Sequence, residues 1–440
     1  MARPICIVGT GYVGMACMIG FATLGFRVHG YDIASDRIAR LRKGVAPYRE
    51  AGIEEALREH IDNGRIDFFD SLPDAASGSD IIVVAVGTPS LDGGSADLSA
   101  LFAAVNALAE VEFEAWPTIV IRSTVPPGTT DTLFPLVHKW GQLIYAPEFL
   151  REGAAVKDFL NPDRIVIGSD SAAEAVPYAQ LFESLQKPLV FTSRTNAELI
   201  KCASNAFLAL KISFANEVAN LCDALGAGSD DVLRAIGYDR RIGTAFLKPG
   251  IGFGGPCFEK DVKSIHHVAE HHGTGRELFA ATLRVNESQP RRIVDMLEEE
   301  AGSLRGLTIG VWGLTFKAGT DDTRDSLALR IVHDLAARGA KSIVFDPAVH
   351  VAPLPEGSRL VRSALEAADC DVLLVLTEWP EFQAIPPASY AGSVRRGIVV
   401  DGRNILDPHR VAAAGLLYRG VGRSGAGIAE APMFAAAVAV

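Results

Sequence analysis

Apolar and polar positions follow two rhythms along this chain. Short, nearly continuous apolar runs recur at Ile5-Cys6-Ile7-Val8, Ile81-Ile82-Val83-Val84-Ala85-Val86, Thr118-Ile119-Val120-Ile121, Leu143-Ile144-Tyr145, Arg164-Ile165-Val166-Ile167-Gly168 and Pro188-Leu189-Val190-Phe191. The first two are expected of strands buried in a parallel sheet, the first on both faces, and the others extend it to a sheet of six or more strands. Arg27-Val28-His29-Gly30-Tyr31 adds a further strand. Helical spacing fills the gaps, as at Met18, Phe21 and Leu24, with Gly25 predicting the stop. Near Thr195 the rhythm changes. Residues 196–225 carry Leu199, Phe207, Leu210, Phe214, Val218 and Leu221 with no Gly or Pro, which predicts one long amphipathic helix. Further helices are predicted to about residue 301. The strand theme then restarts at Leu307-Thr308-Ile309-Gly310-Val311-Trp312, Ser342-Ile343-Val344-Phe345, Asp371-Val372-Leu373-Leu374-Val375 and Gly397-Ile398-Val399-Val400.

The turns between these elements carry the chemistry. The first strand runs into Gly9-Thr10-Gly11-Tyr12-Val13-Gly14, then a helix, a second strand and Asp32. Glycines in this context allow a tight turn, a close pyrophosphate and a helix packed on the strand, and the helix N-terminus carries the phosphate charge. Asp32 would accept from ribose hydroxyls and repel a 2′-phosphate, so the expected cofactor is NAD. Arg37 follows on a helix, either flanking the adenosine or as a solvated charge. The last third repeats the strand–turn–helix theme with an incomplete glycine pattern. The expected class is therefore α/β, with two Rossmann-like doubly wound domains joined by a long central helix.

Ligands of such sheets sit outside the carboxyl ends of the strands. That places Gly87-Thr88-Pro89, Thr124 and Glu148 near a cofactor, although Thr124 alone reads equally as an N-cap or turn hydroxyl. Lys201 and Asn205 are four apart and share a helix face. Lys201 would ordinarily be solvated, but Leu199, Ile200, Cys202 and Ala203 around it predict an enclosed site. Residues 250–261 read Gly-Ile-Gly-Phe-Gly-Gly-Pro-Cys-Phe-Glu-Lys-Asp. Pro256 suits a first helical turn, so Cys257 is expected in that turn, where the free N–H groups favour a thiolate, with Asp261 one turn further. By itself Cys257 reads first as a half-buried thiol. Lys317 and Arg403 follow strand ends and suit phosphate, or are solvated loop charges.

Composition narrows this picture. A chain of 440 residues with 48% hydrophobic and 22% charged content has material for two or three domains. A net charge of −11 argues against nucleic acid or an anionic membrane as partner. Six scattered cysteines with no metal spacing predict no metal site and no disulfide framework, as in a reducing cytoplasm. The N-terminus starts directly in a strand pattern without a signal core, and no apolar run is long enough to span a bilayer. The Ala-rich apolar tail, residues 431–440, is assigned no function.

Taken together, the sequence resembles the nucleotide-sugar dehydrogenases of the UDP-glucose/GDP-mannose dehydrogenase family. The matching stretches are residues 9–14, Gly87-Thr88-Pro89 with Asp97-Leu98, Ser123-Thr124-Val125-Pro126-Pro127-Gly128-Thr129, Pro147-Glu148-Phe149-Leu150-Arg151-Glu152-Gly153, residues 198–205, Arg241-Ile242-Gly243, residues 252–261, Phe316-Lys317 with Thr323-Arg324, and Asp401-Gly402-Arg403-Asn404. The resemblance implies oxidation of the sugar C6 hydroxymethyl to a carboxylate with two NAD and one water, with UDP-glucose as substrate. Cys257 would be the nucleophile, forming a thiohemiacetal and then a thioester. Lys201 and Asn205 would stabilise the oxyanion, Asp261 with Thr124 would order a water, and Glu148 would serve thioester hydrolysis. NAD would meet Gly9, Gly11, Tyr12, Val13, Gly14, Asp32, Arg37, Thr88, Thr124, Glu152 and Arg324. The sugar nucleotide would meet Phe149, Leu150, Arg151, Lys201, Asn205, Gly252, Phe253, Gly254, Lys317 and Arg403, with Arg241 reaching from a neighbouring subunit of a homodimer or higher homo-oligomer.

The implied domains are 1–195 for NAD, 196–300 for dimerisation and the Cys loop, and 301–440 for the UDP-sugar. Pro256 and Glu259 depart from the family pattern, which often has Ser before the Cys and Pro or Gln at the latter position. The rival substrates are GDP-mannose and a UDP-N-acetylhexosamine. The rival classes are a non-catalytic NAD-binding regulator and a two-electron alcohol dehydrogenase.

Overall fold

A computed structural model describes residues 3–91 and 93–423. The apolar tail, residues 431–440, lies outside the described residues. The chain divides into two compact units, Met1–Ala206 with Lys260–Arg276, and Phe207–Glu259 with Glu277–Val440.

The first unit is built on β1 (Ile5–Val8), β2 (Val28–Tyr31), β3 (Ile66–Phe69), β4 (Ile81–Val84), β5 (Thr118–Ile121), β6 (Gln142–Tyr145), β7 (Ile165–Gly168) and β8 (Leu189–Thr192), in the spatial order β3-β2-β1-β4-β5-β6-β7-β8. The strands β1 to β6 pair in parallel. β7 meets β6 antiparallel through Tyr145 and Gly168, and β8 then runs parallel to β7. The strand order reverses at β1, and ligands of such sheets bind at that switch point. Every residue of β1, β4 and β5 is buried, because helices cover both faces. One apolar cluster gathers Ile7, Met18, Phe21 and Phe159, and another gathers Val8, Val84, Ile121 and Leu133.

The second unit holds β9 (Thr308–Trp312), β10 (Lys341–Phe345), β11 (Arg359–Leu360), β12 (Cys370–Val375), β13 (Val394–Asp401) and β14 (Leu417–Gly420), ordered β11-β10-β9-β12-β13-β14 and all parallel. This is the same winding as the first six strands of the other sheet. The glycine pattern is incomplete here, yet Gly313 still takes a φ of +97° after β9, much as Gly9 takes +93° after β1. Both class and winding are thus as the apolar rhythm predicted.

The long helix is Arg194–Leu225, 32 residues. It starts two residues earlier than its apolar pattern. Three further helices, Ser229–Gly237, Phe258–His271 and Glu277–Ala301, complete the middle of the chain. Among the described residues no helix is long and apolar enough to cross a membrane.

Candidate active site

In the first unit, the turn after β1 is shaped by what glycine lacks. A Cβ on Gly9 would stand 2.8 Å from the carbonyl oxygen of Ala85, and one on Gly14 would stand 1.9 Å from that of Gly9, so neither tolerates a side chain. Gly11 differs: among the described residues no atom lies within 4 Å of where its Cβ would be. Gly11 is also the N-cap of the Tyr12–Thr23 helix, whose first N–H groups have no partner within the helix. A bare backbone at a helix start is what a pyrophosphate needs.

Asp32 stands just past the end of β2. One oxygen accepts from the N–H of Thr10 at 2.8 Å, its hydroxyl at 3.0 Å and an Arg37 Nη at 2.8 Å, and the other accepts from the N–H of Ala34 at 3.0 Å. Burial pushes this carboxyl up, but the Ala34 and Thr10 N–H groups and the Arg37 guanidinium outweigh it and hold it below the ordinary value. These residues fit a dinucleotide: an open glycine face, a helix N-terminus and an ionised acid at the next strand end.

Neighbouring strand ends are tied together. The Thr88 hydroxyl donates to the carbonyl of Thr124 at 2.6 Å, and that of Ser123 donates to the carbonyl of Val86 at 2.6 Å. The Tyr12 hydroxyl donates to the Arg151 carbonyl at 2.8 Å and lies 3.3 Å from Glu50, whose other oxygen accepts from the N–H of Val156 at 3.1 Å. The cofactor-type turn is thereby joined to residues 148–153. Val13 and Glu152 are half-buried.

The same unit brings four predicted polar groups into two buried pairs. Lys201 (4% exposed) donates to Glu148 Oε1 at 3.1 Å, and Asn205 donates to Asp261 Oδ2 at 2.5 Å. The two donors are one turn apart on the long helix. Asp261 (1% exposed) accepts on Oδ1 from Lys260 Nζ at 2.7 Å, and Glu148 Oε2 accepts from the N–H of Leu150 at 2.5 Å. Burying charge is tolerable only with partners of this kind. Phe149 lies between two cations, with the Arg164 guanidinium 3.9 Å and Lys201 Nζ 5.5 Å from its ring centre. Arg151 turns outward and pairs with Asp158 at 2.7 Å.

In the second unit, Cys257 is exposed, whereas the other five cysteines are buried. It does not lie in the first helical turn as the sequence led us to expect. Residues 256–257 form the turn that leads into the Phe258–His271 helix. The positive φ of Gly255, +82°, sets that turn up, so the helix begins one residue later. Phe253 is buried and its ring meets that of Phe258 edge-on at 5.9 Å. A Cβ on Gly254 would come within 2.6 Å of the Asp325 carbonyl oxygen.

Arg403 donates to the carbonyls of Leu376, Gly252 and Phe316 at 2.9, 3.3 and 3.1 Å. Lys317 Nζ lies 5.6 Å from the Phe316 ring centre. Arg324 pairs with Asp322, and the exposed Arg241 pairs with Asp239 at 2.5 Å.

Sequence reading missed several groups. Glu198 is fully buried and accepts from the N–H groups of Gly128 and Thr130 at 2.6 and 2.7 Å and from the Thr130 hydroxyl at 2.7 Å. It ties the segment after Thr124 to the helix carrying Lys201. The signal was a lone carboxylate one turn before Lys201. Lys260, Glu50 and Arg164 were missed too, as were the buried amides Asn216, Asn286 and Gln289. In a helical pattern such residues look like a solvated face.

Three family profiles match in order: the UDP-glucose/GDP-mannose dehydrogenase family NAD binding domain over residues 3–186, its central domain over 195–288 and its UDP binding domain over 310–408. The UDP-glucose 6-dehydrogenase of Rhizobium meliloti is 40% identical over 435 residues, covering 95% of this chain and 99% of that one. UDP-glucose 6-dehydrogenase TuaD of Bacillus subtilis is 38% identical, covering 96% of this chain and 93% of its own. Among solved structures, a UDP-glucose dehydrogenase from Pyrobaculum islandicum aligns with a TM-score of 0.88 at 38% identity, over 96% of this chain and 98% of that one. The UDP-D-ManNAc dehydrogenase of Pyrococcus horikoshii aligns with a TM-score of 0.85 at 30% identity, over 96% and 99%. With a dinucleotide-type turn, a parallel sheet of the same winding in each unit and relatives alike over nearly their full length, the chain belongs to the UDP-glucose/GDP-mannose dehydrogenase family, a family of NAD-dependent dehydrogenases.

Proposed function

We propose that the chain oxidises UDP-glucose to UDP-glucuronate in two successive two-electron steps through a covalent intermediate on Cys257. The observation that carries this reading is the exposure of Cys257, alone among buried cysteines, at the start of the helix that bears Asp261. NAD, held by residues 9–14, Asp32 and Arg37, supplies a hydride acceptor for each oxidation when bound.

The first oxidation turns the C6 alcohol into an aldehyde. An aldehyde carbon is flat and cannot give up its hydrogen as hydride until a nucleophile makes it tetrahedral. The Cys257 thiolate does so by forming a C–S bond, and the carbonyl oxygen becomes an oxyanion. Lys201 and Asn205 stabilise that charge. Both are buried and already oriented, by Glu148 and Asp261, so they spend little on reorganisation. Loss of hydride then leaves a thioester. Water adds to it, the C–S bond breaks, and the thiolate leaves as the carboxylic acid forms. Asp261 with Thr124 orders that water, and Glu148 assists the hydrolysis.

The other assignments belong to the same proposal. Phe149, Leu150, Arg151, Gly252, Phe253, Gly254, Lys317 and Arg403 receive the sugar nucleotide, and Thr88, Glu152 and Arg324 complete the cofactor site. The functional domains divide at 1–195, 196–300 and 301–440. The chain works in a reducing cytoplasm as at least a homodimer. Phe207, Phe214 and Leu221, seven apart on the long helix and 62, 48 and 58% exposed, support a second copy packing there, with Arg241 serving the partner's substrate.

The deciding experiment is the number of NADH formed per sugar nucleotide consumed, across UDP-glucose, GDP-mannose and UDP-N-acetylhexosamines. Two NADH per UDP-glucose supports the reading. One NADH would mean a simple alcohol dehydrogenase. Two NADH on another sugar alone would move the substrate, and none on any would leave a regulator.

A further inference from the structure

In the second unit, the backbone leading to Cys257 is held by side-chain amides. The N–H of Gly250 donates to Asn216 Oδ1 at 2.7 Å, and its carbonyl accepts from Gln289 Nε2 at 3.1 Å. The N–H of Phe253 donates to Asn286 Oδ1 at 2.7 Å, and its carbonyl accepts from Asn286 Nδ2 at 2.9 Å. Asn286 therefore satisfies both main-chain groups of Phe253, as an adjacent strand would. All three amides are buried, at 0, 0 and 3% exposure for Asn216, Gln289 and Asn286. Asn286 and Gln289 are three apart on the Glu277–Ala301 helix and so share a face. Gln289 is itself oriented by Asn220, which donates to its Oε1 at 2.9 Å.

Of the two residues between these holds, Gly252 is threaded tightly. Gly252 has a φ of +101°, and a Cβ there would stand 2.5 Å from Asn286 Oδ1 and 2.8 Å from Leu327 Cδ1. Its carbonyl accepts from Arg403 Nη1 at 3.3 Å. A glycine-rich segment is by nature loose. Here much of that freedom is removed by groups outside the segment; past Phe253, which lies four residues before the thiol, the N–H of Gly255 adds a longer bond to the Asp325 carbonyl at 3.4 Å.

We propose that Asn286 is a positioning residue for Cys257, its carboxamide fixing the Phe253 backbone and with it the direction from which the thiol meets the sugar carbon. This rests on Cys257 being the nucleophile. A reacting atom displaced by about 1 Å can lose about a hundred-fold in rate while binding survives, so the effect belongs in kcat.

The test uses the full chain with Asn286→Ala and Asn286→Asp. The second variant keeps the volume and the acceptor for the Phe253 N–H but loses the donor to its carbonyl. It carries the test if the first fails to fold. Three quantities are read: kcat and KM for UDP-glucose, the rate at which iodoacetamide alkylates Cys257 in the substrate-free protein (followed by peptide mass), and NAD affinity. The expected result is a fall in kcat of about ten- to a hundred-fold with KM within about three-fold, an altered Cys257 alkylation rate and unchanged NAD affinity. Native kcat and alkylation rates in Asn286→Asp, or a loss confined to KM, would overturn the proposal. Alkylation reads the thiol whether or not it is the nucleophile. If Cys257→Ala still makes acid at the native rate, the catalytic reading fails and the alkylation result stands separately.

Discussion

Lys201 Nζ sits 3.1 Å from Glu148 Oε1, with both side chains shut off from solvent in the first unit. Their separation of 53 residues in sequence means that the long helix and the turn after β6 are held in register by one ion pair. Removing one member leaves the other charged in a dry setting. Glu148→Ala is therefore expected to destabilise the protein by about 3–5 kcal/mol, and Glu148→Gln, which keeps an acceptor, by clearly less. Urea unfolding midpoints of the two variants check the order.

Cys257→Ala should stop net formation of the acid, with a loss of at least about a thousand-fold in turnover. NAD affinity should stay native, because the dinucleotide-type turn is built from β1, β2 and the helix between them. Product analysis together with cofactor titration reads both. Acid formation at the native rate would remove the covalent mechanism.

On the proposed assignment Asp32 sets cofactor choice, and its lowered carboxyl contributes to acid stability. Asp32→Ser should raise the preference for NADP over NAD by about ten- to a hundred-fold, because it removes the repelling carboxylate and releases Arg37, now 2.8 Å from it. Comparison of kcat/KM for the two cofactors tests this.

The pH dependence follows from the same contacts. Burial raises the Asp32 carboxyl, but its N–H donors and Arg37 win and hold it below the ordinary 3.8. A carboxyl lower in the folded than in the unfolded state adds stability above about 3.8 and loses it as pH falls through the lower folded value. Asp32→Asn should accordingly unfold with a shallower acid limb below about pH 3.8, which acid titration followed by circular dichroism will show.

Glu198→Gln should cost about 1–3 kcal/mol. The carboxylate takes three donors, and one of them would face the new NH₂ group. Since these donors follow Thr124 in the chain, the loss should appear in activity as well as in the urea midpoint.

Much of the fold was legible because burial on both faces writes itself as unbroken apolar runs, as in β1, β4 and β5. Of the four edge strands only β8 was read; the other three were not. β3, β11 and β14 are short or half-exposed, so their patterns merge with loops. The reversal between β6 and β7 depends on pairing across the sheet and leaves no local mark. Lys201 and Asn205 could be placed on one face by spacing, and their apolar neighbours told of enclosure. Their partners could not be read, since Glu148 and Asp261 are more than fifty residues away in sequence. The amides around residues 250–253 failed for another reason: a single Asn inside a helix is ordinary, and only the segment it grips makes it special.

The two sheets end their second strands with the same device. Asp346 accepts from the N–H groups of Leu314, Thr315 and Ala348 and the hydroxyl of Thr315, as Asp32 accepts from Thr10 and Ala34. The remaining donor differs. At Asp32 it is Arg37, a flexible side chain 41% exposed; at Asp346 it is the indole N–H of the buried Trp379, at 3.2 Å. An arginine can swing aside for a ribose, whereas a packed indole is a permanent lid. Grafting the glycine turn of residues 9–14 onto residues 313–318 would thus not create a second dinucleotide site, and an engineer wanting one would have to begin at Trp379.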